Sequence, residues 1–274
     1  MKKILLSAVV VVAAAAVVVG ATTAFFTDTE TSTGNTFTAG AIDLKIDNSA
    51  WYNGVAVQGS TWQPKDLGEG DFFFNLSDLK PGDWEEDTIS LHVDNNDAWV
   101  CVDVTLTKND EVSLKEPEAD AGDSADVLEN LFDGELAQEL EFMWWADDGD
   151  NVLEEGEEII NSGNLGWAPE DQTVSVTLAD SSNNIWDEEG PISGETPYYI
   201  GKAFCMGDLD INGSTYDPFD GEDEDNSGPN SRPVDCDGED VSNWSQSDSV
   251  MMDISFRAEQ SRNNPDFSCQ GSQG

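Results

Sequence analysis

The chain has 274 residues, with 57 acidic against 11 basic side chains and a formal charge of −46. Such a surface repels phosphates and anionic headgroups, which excludes nucleic acid and peripheral membrane binding, and it suits divalent cations, high salt or basic partners. A 38% hydrophobic share with 12 Phe and 9 Trp supplies a core, so the chain is not a disordered polymer.

The first element is apolar. Lys2 and Lys3 precede the Ala/Val/Leu/Ile stretch Ile4–Val19, and Gly20-Ala21-Thr22-Thr23-Ala24 follows it. A basic start, an apolar stretch and small residues predict a secretory signal peptide over residues 1–24, cleaved after Ala24. The alternative is an uncleaved anchor, since no charge falls between Ile4 and Thr27 and about 20 apolar residues span a bilayer. The small residues and the lack of a basic stop-transfer cluster favour cleavage. The expected location is therefore extracellular matrix or cell surface, with membrane contact only through this segment. Cleavage removes two of the few lysines and leaves the exported part more acidic still.

The exported part reads as strands. Asn35–Ile46, Phe72–Leu76, Thr88–Val93, Val100–Thr107, Thr173–Leu178, Tyr198–Phe204 and Val250–Ala258 are short apolar or alternating runs. Polar turns such as Lys80-Pro81-Gly82-Asp83 and Val93-Asp94-Asn95-Asn96-Asp97 separate them. Pro81 and Gly82 suit the central positions of a type II turn. Ser124–Phe142 breaks the pattern: Val127, Leu128, Leu131, Phe132, Leu136 and Leu140 recur at helical spacing, with Asp123 or Ser124 as N-cap and Gly134 as an interruption. Glu116–Asp126 and Gly207–Asp240 read as acidic, Gly/Pro-rich loops. The sum is a mainly β chain, an antiparallel sandwich with a short helical insertion and long acidic loops. Residues 38–274 are expected to form one domain with insertions at about 108–142 and 207–240.

Four cysteines in an exported chain are most economically two disulfides. Three pairings exist for Cys101, Cys205, Cys236 and Cys269. Cys205 with Cys236 would staple the Gly/Asp/Asn/Pro-rich loop at its base, leaving Cys101 with Cys269; the sequence does not settle it. Zinc is disfavoured, because no C-x-x-C occurs and His92 is the only histidine.

Trp144–Glu158 resembles a calcium loop, whose oxygen ligands stand at positions 1, 3, 5, 7, 9 and 12. Counting from Ala146 places Asp148, Asp150, the Val152 carbonyl, Glu154 and Glu157 at the last five, with Asp147 swinging in for the first. Counting from Asp147 supplies Asn151, Glu155 and Glu158 but puts Gly149 at position 3. Neither register has Gly at position 6, so the motif is degenerate, and a solvated acidic turn is the competing reading. Structural Ca²⁺ is the only cofactor expected, with no organic one. Asn75, Asn212 and Asn243 head N-x-S triplets, a pattern that arises readily by chance.

Two separate motifs carry a family resemblance. Ala24-Phe25-Phe26-Thr27-Asp28 and Asn35–Leu44 are similar to the start of TasA and camelysin proteins. Asn75-Leu76-Ser77-Asp78-Leu79-Lys80-Pro81-Gly82-Asp83 resembles the family's N-L-x-x-L-K-P-G-D, and Leu91–Leu106 resembles the strand, turn and strand that follow it. The likeness covers about residues 1–107; the cysteines and long acidic loops are departures. The resemblance implies a jelly-roll-like sandwich, export by a dedicated signal peptidase, and self-association into extracellular fibres, in which the N-terminal segment of one subunit adds a strand to the next. Residues 25–37, opening on Phe25 and Phe26, closing on Phe37 and free of Pro, suit such a donor. Other matrix proteins or polysaccharide are further expected partners.

Camelysin-type proteins are also classed as metalloproteases. A zincin needs two His on one helical turn, and a Ser-His-Asp triad would have to use His92 without a G-x-S-x-G elbow. Nothing singles out a glycosidase pair among so many carboxylates. The expectation is a non-enzymatic structural subunit; the alternatives are a monomeric adhesin or carbohydrate-binding domain, and a secreted hydrolase.

Overall fold

The computed structural model describes residues 42–124, 130–153, 156–186, 189–210 and 235–270. Twelve strands are seen among them. They are β1 (Asp43–Tyr52), β2 (Val55–Ala56), β3 (Trp62–Lys65), β4 (Trp84–Asp94), β5 (Ala98–Asp110), β6 (Leu140–Asp147), β7 (Ile159–Asn164), β8 (Thr173–Ala179), β9 (Pro197–Met206), β10 (Asp208–Asp210), β11 (Asp235–Asp237) and β12 (Ser249–Gln260). Helices α1 (Glu116–Ala121) and α2 (Leu136–Glu139) are short. The larger sheet runs β2-β1-β4-β9-β6-β7, with β3 also on β1; the smaller runs β12-β5-β8; β10 and β11 form a separate pair. All strand pairings are antiparallel, as the alternating runs lead one to expect.

The two main sheets share one core. Ile89, Leu91 and Val93 of β4 and Ile200 of β9 fall in the same buried cluster as Val100, Val102 and Val104 of β5 and Leu178 of β8. A second, smaller cluster lies on the opposite face of the larger sheet. There Met143 and Trp145 of β6 and Ala203 and Cys205 of β9 pack with Leu153 and Leu209. β6 is therefore buried on both faces.

That double burial corrects one expectation. Of the one or two short helices expected over Ser124–Phe142, α2 forms at Leu136–Glu139, but the helical run stops there because β6 begins at Leu140. With Phe142 and Trp144 facing one cluster and Met143 and Trp145 the other, β6 shows no period-2 alternation to read. Residues 125–129 lie outside the described residues. The Glu116–Asp126 stretch is not all loop either, because α1 occupies Glu116–Ala121. Pro117 sits in its first turn, where a missing N–H costs nothing, and Gly122 ends it in the left-handed region at φ 103°. Asp123 and Ser124 follow this helix, and the residues they were expected to cap lie outside the described ones.

Phe72–Leu76 is not a strand. Phe73 instead plugs the core between Trp62 and Phe256, with ring centroids 5.4 and 5.8 Å away, and Phe74 covers the Lys202 ammonium at 4.9 Å. The apolar run fills space between the sheets and pairs with neither.

The Lys80–Asp83 turn has the expected geometry: Gly82 has φ 84° and the Asp83 N–H donates to Lys80 O at 2.8 Å. Asp83 then gathers donors from two directions. Its carboxylate accepts from Lys80 N at 2.8 Å, from Asn53 Nδ2 at 2.9 Å and from the Tyr52 hydroxyl. Partial burial pushes its pKa up, but these hydrogen bonds outweigh burial and hold the carboxyl below the usual range. The Asp of the N-L-x-x-L-K-P-G-D motif therefore ties the turn to the β1 hairpin.

Candidate functional site: sheet edges, carboxylates and disulfides

The smaller sheet has only β12 and β8 beside β5, so both of those are edges. Among the described residues no strand pairs the outer side of β12, a 12-residue strand. Its core-facing Met252, Ile254, Phe256 and Ala258 lie across from Leu106, Val104, Val102 and Val100 of β5. Those β5 residues are 3, 6, 0 and 0% exposed, whereas the β12 side chains are only partly buried. β12 thus offers two unfilled capacities, a row of backbone donors and acceptors and a half-covered apolar face.

The structure joins Cys101 of β5 to Cys269 and Cys205 of β9 to Cys236 of β11, with S–S distances of 2.09 and 1.95 Å. The first ties the segment after β12 back onto the central strand of the smaller sheet. The second holds the β10–β11 pair at the Lys80–Asp83 turn, where a Cβ on Gly238 would meet Gly82 N at 2.2 Å. Phe25, Phe26, Phe37 and the Ala24 cleavage point lie outside the described residues.

The calcium-like loop connects β6 to β7. Asp147 is buried at its start, and its carboxylate accepts from Gly149 N at 3.0 Å, Asn151 N at 3.1 Å and Trp145 Nε1 at 3.2 Å. Burial pushes its pKa up to about 6 against those donors. Asp150 accepts from Val152 N at 2.9 Å, and Glu157 from Asp148 N at 3.1 Å. Val152 and Leu153 are buried. These carboxylates serve the loop's own backbone, and a hydrophobic tuck pins the loop. Glu154 lies outside the described residues. Among the described residues, carboxylates converge closely at another place, around Glu111. No sequence spacing revealed it, because its members come from separate elements.

The interior of the larger sheet holds a buried charge trio. Asp87 of β4 faces Lys202 of β9 in register and forms an ion pair with it, and Glu85 lies beside them. Burial, then the neighbouring Asp87 charge, pushes the Glu85 pKa up to about 8 despite Lys202.

His92 stands on β4. Ser90 Oγ is 2.6 Å from His92 Nε2 and donates to Asp47 Oδ1, while Asp47 Oδ2 is 3.5 Å from the same Nε2. In a nucleophilic triad the carboxylate orients one ring nitrogen and the serine passes its proton to the other. Here both partners meet one nitrogen and the serine hydroxyl donates to the carboxylate, so the three residues do not form a triad. A shallow groove nearby is lined by Trp51, Trp62, Tyr199, Asp47 and Asp150.

Fold and geometry define a class first: an antiparallel, mainly β, disulfide-linked protein of extreme acidity. The chain belongs to the TasA/camelysin family, whose model, described as Camelysin metallo-endopeptidase, matches residues 1–155. A search of curated proteins finds no match. The match runs beyond the motifs legible in the sequence, through α1, α2 and β6 into the loop after it. The family's description implies a catalytic metal, and the donor set here does not fit one. Catalytic zinc takes three protein ligands, usually including His. Among the described residues the lone histidine has the Asp47 carboxylate at 3.5 Å, neither convergent carboxylate group contains it, and all four cysteines are oxidised. Among the described residues no helix is long and apolar enough to cross a membrane.

Proposed function

We propose that the protein is a non-enzymatic, exported structural subunit that assembles into extracellular fibres. In this reading the 25–37 segment of one copy adds a strand to the β12 edge of the next. The observation that carries it is the incomplete burial of Met252, Ile254, Phe256 and Ala258 on a strand with no outer partner among the described residues. An added strand would satisfy its free backbone groups and cover those side chains, the two gains on which strand addition rests. The high acidity keeps copies apart at low salt and lets them associate when salt shortens the Debye length to about 3 Å at 1 M. The geometry around His92, where Ser90 and Asp47 meet the same ring nitrogen, favours the non-enzymatic part.

Electron microscopy tests the reading on residues 25–274 and on a twin lacking residues 25–36, both across salt concentrations. Fibres from the first and none from the folded twin are expected. Equal fibres from both, or none from either, would refute strand donation. A second reading, a carbohydrate-binding surface domain, draws on the groove with Trp51, Trp62 and Tyr199, where sugar rings could stack. It predicts polysaccharide binding by monomers that Trp51→Ala abolishes.

A further inference from the structure

Beside the start of β12, five carboxylates from four separate stretches point at one another. Glu111 follows β5, Glu118 lies in α1, Asp123 follows α1, Glu135 precedes α2, and Asp248 precedes β12. One oxygen each from Glu111, Asp123 and Glu135 lie within 4.8 Å of one another, and the same holds for Glu111, Glu118 and Asp248. Glu111 belongs to both groups. Its side chain is 2% exposed, and neither of its carboxylate oxygens has a hydrogen-bond partner. One oxygen each of Asp123, Glu135 and Asp248 is likewise buried without a partner. None of the five makes an ion pair with Lys or Arg among the described residues.

An unpaired buried carboxylate is costly, and several facing one another multiply the cost. Yet the frame around them is firmly tied. Asp248 accepts from the N–H groups of Glu135 and Leu136 at 2.7 and 3.1 Å, and Glu118 accepts from Ser247 Oγ at 2.8 Å. Asn109 pins the 131–137 stretch through Leu131 O, Gly134 N and Ala137 N at 2.8, 2.8 and 3.0 Å. Lys115 N donates to the other Glu118 oxygen, while Glu111 and one oxygen each of Asp123, Glu135 and Asp248 stay without a hydrogen-bond partner, in two triplets that meet at Glu111.

From this geometry we infer that Glu111, Glu118, Asp123, Glu135 and Asp248 form a calcium site that fastens the 111–135 insertion to the start of β12. The donor set is oxygen only, rich in carboxylates and drawn from separate stretches. That suits Ca²⁺, with 6–8 oxygens at about 2.3–2.6 Å, over Mg²⁺, which keeps its waters and tolerates few carboxylates. The site stands apart from the β6–β7 loop and from the assembly reading.

Calcium titration of the full chain, disulfides intact and chelator-treated, tests it by calorimetry and by thermal melting in 2 M NaCl to suppress surface binding. One saturable Ca²⁺ site is expected, MgCl₂ should bind far more weakly, and the melting temperature should rise with CaCl₂. Glu111→Gln should weaken binding by about tenfold or more and melt higher than wild type without calcium, because it removes a buried unpaired charge. Asp66→Asn, exposed on the segment after β3, should leave binding unchanged. Should Glu111→Gln fail to fold, Asp248→Asn carries the same comparison. Only diffuse binding lost in NaCl, or saturable binding equally strong in both cluster variants, would overturn the site.

Discussion

Gly201 of β9 faces Trp145 of β6 across the ladder, and a Cβ there would stand 2.0 Å from the indole. The indole lies on the glycine and closes the smaller core cluster. Gly201→Ala is therefore expected to lower stability by about 1–3 kcal/mol, the usual cost of overpacking; an unchanged urea midpoint would contradict this packing. Asp83 acts at the same scale: Asp83→Ala leaves the turn's donors unmatched and should cost about 1–3 kcal/mol by the same measurement. Glu85 sets a pH dependence. Its folded pKa of about 8 stands above the ordinary value of 4.5, so the folded protein keeps a proton that the unfolded chain releases. The stability this contributes is complete below about pH 4.5 and is lost as pH rises through about 8. The urea midpoint should fall between pH 5 and 8.5, and Glu85→Gln should flatten that fall; equal slopes would contradict it. These residues were unequally legible. The Lys80–Asp83 turn follows from Pro-Gly chemistry, but the role of Asp83 needs Tyr52 and Asn53, which no local spacing connects to it.

At the scale of elements, short apolar or alternating runs announced most of the strands. β4, β5, β8, β9 and β12 each fell largely within an expected run, whereas β6 was hidden because helix-like spacing continues up to Leu140, and β7, with Ser, Gly and Asn, by its polarity. Phe72–Leu76 misled in the opposite sense, since an apolar plug and an apolar strand have the same composition. The disulfides bind elements far apart in the chain, 168 residues for Cys101–Cys269 and 31 for Cys205–Cys236. In the chain-entropy account those loops correspond to about 5 and about 4 kcal/mol at 25 °C. Replacing Cys101 and Cys269 together with Ser should accordingly lower the denaturation midpoint more than replacing Cys205 and Cys236; the reverse order would show that native packing, not loop length, governs their effect. The Glu111 cluster could not be read from sequence, because its five carboxylates are brought together only by the packing of α1 and the 131–137 stretch against the start of β12.

For the whole molecule, charge and topology act together. A formal charge of −46 opposes association, and a smaller sheet whose β12 has no outer partner among the described residues invites it. Assembly under screening salt reconciles the two. The sequence made the family and the mainly β class visible through its two motifs, but not which edge stays open, since that depends on strands far apart in the chain pairing as they do.

The central claim is the identity of that edge, and cross-linking between copies tests it most directly. Because all four native cysteines are engaged in disulfides, added ones react alone. Chains carrying Thr29→Cys, Thr31→Cys or Thr33→Cys would be mixed with chains carrying Asp253→Cys and oxidised during assembly. The account predicts a covalent pair of unlike chains at one of these donor positions, growing with fibre yield. Fibres that form without any cross-link to β12 would place the contact elsewhere and contradict it.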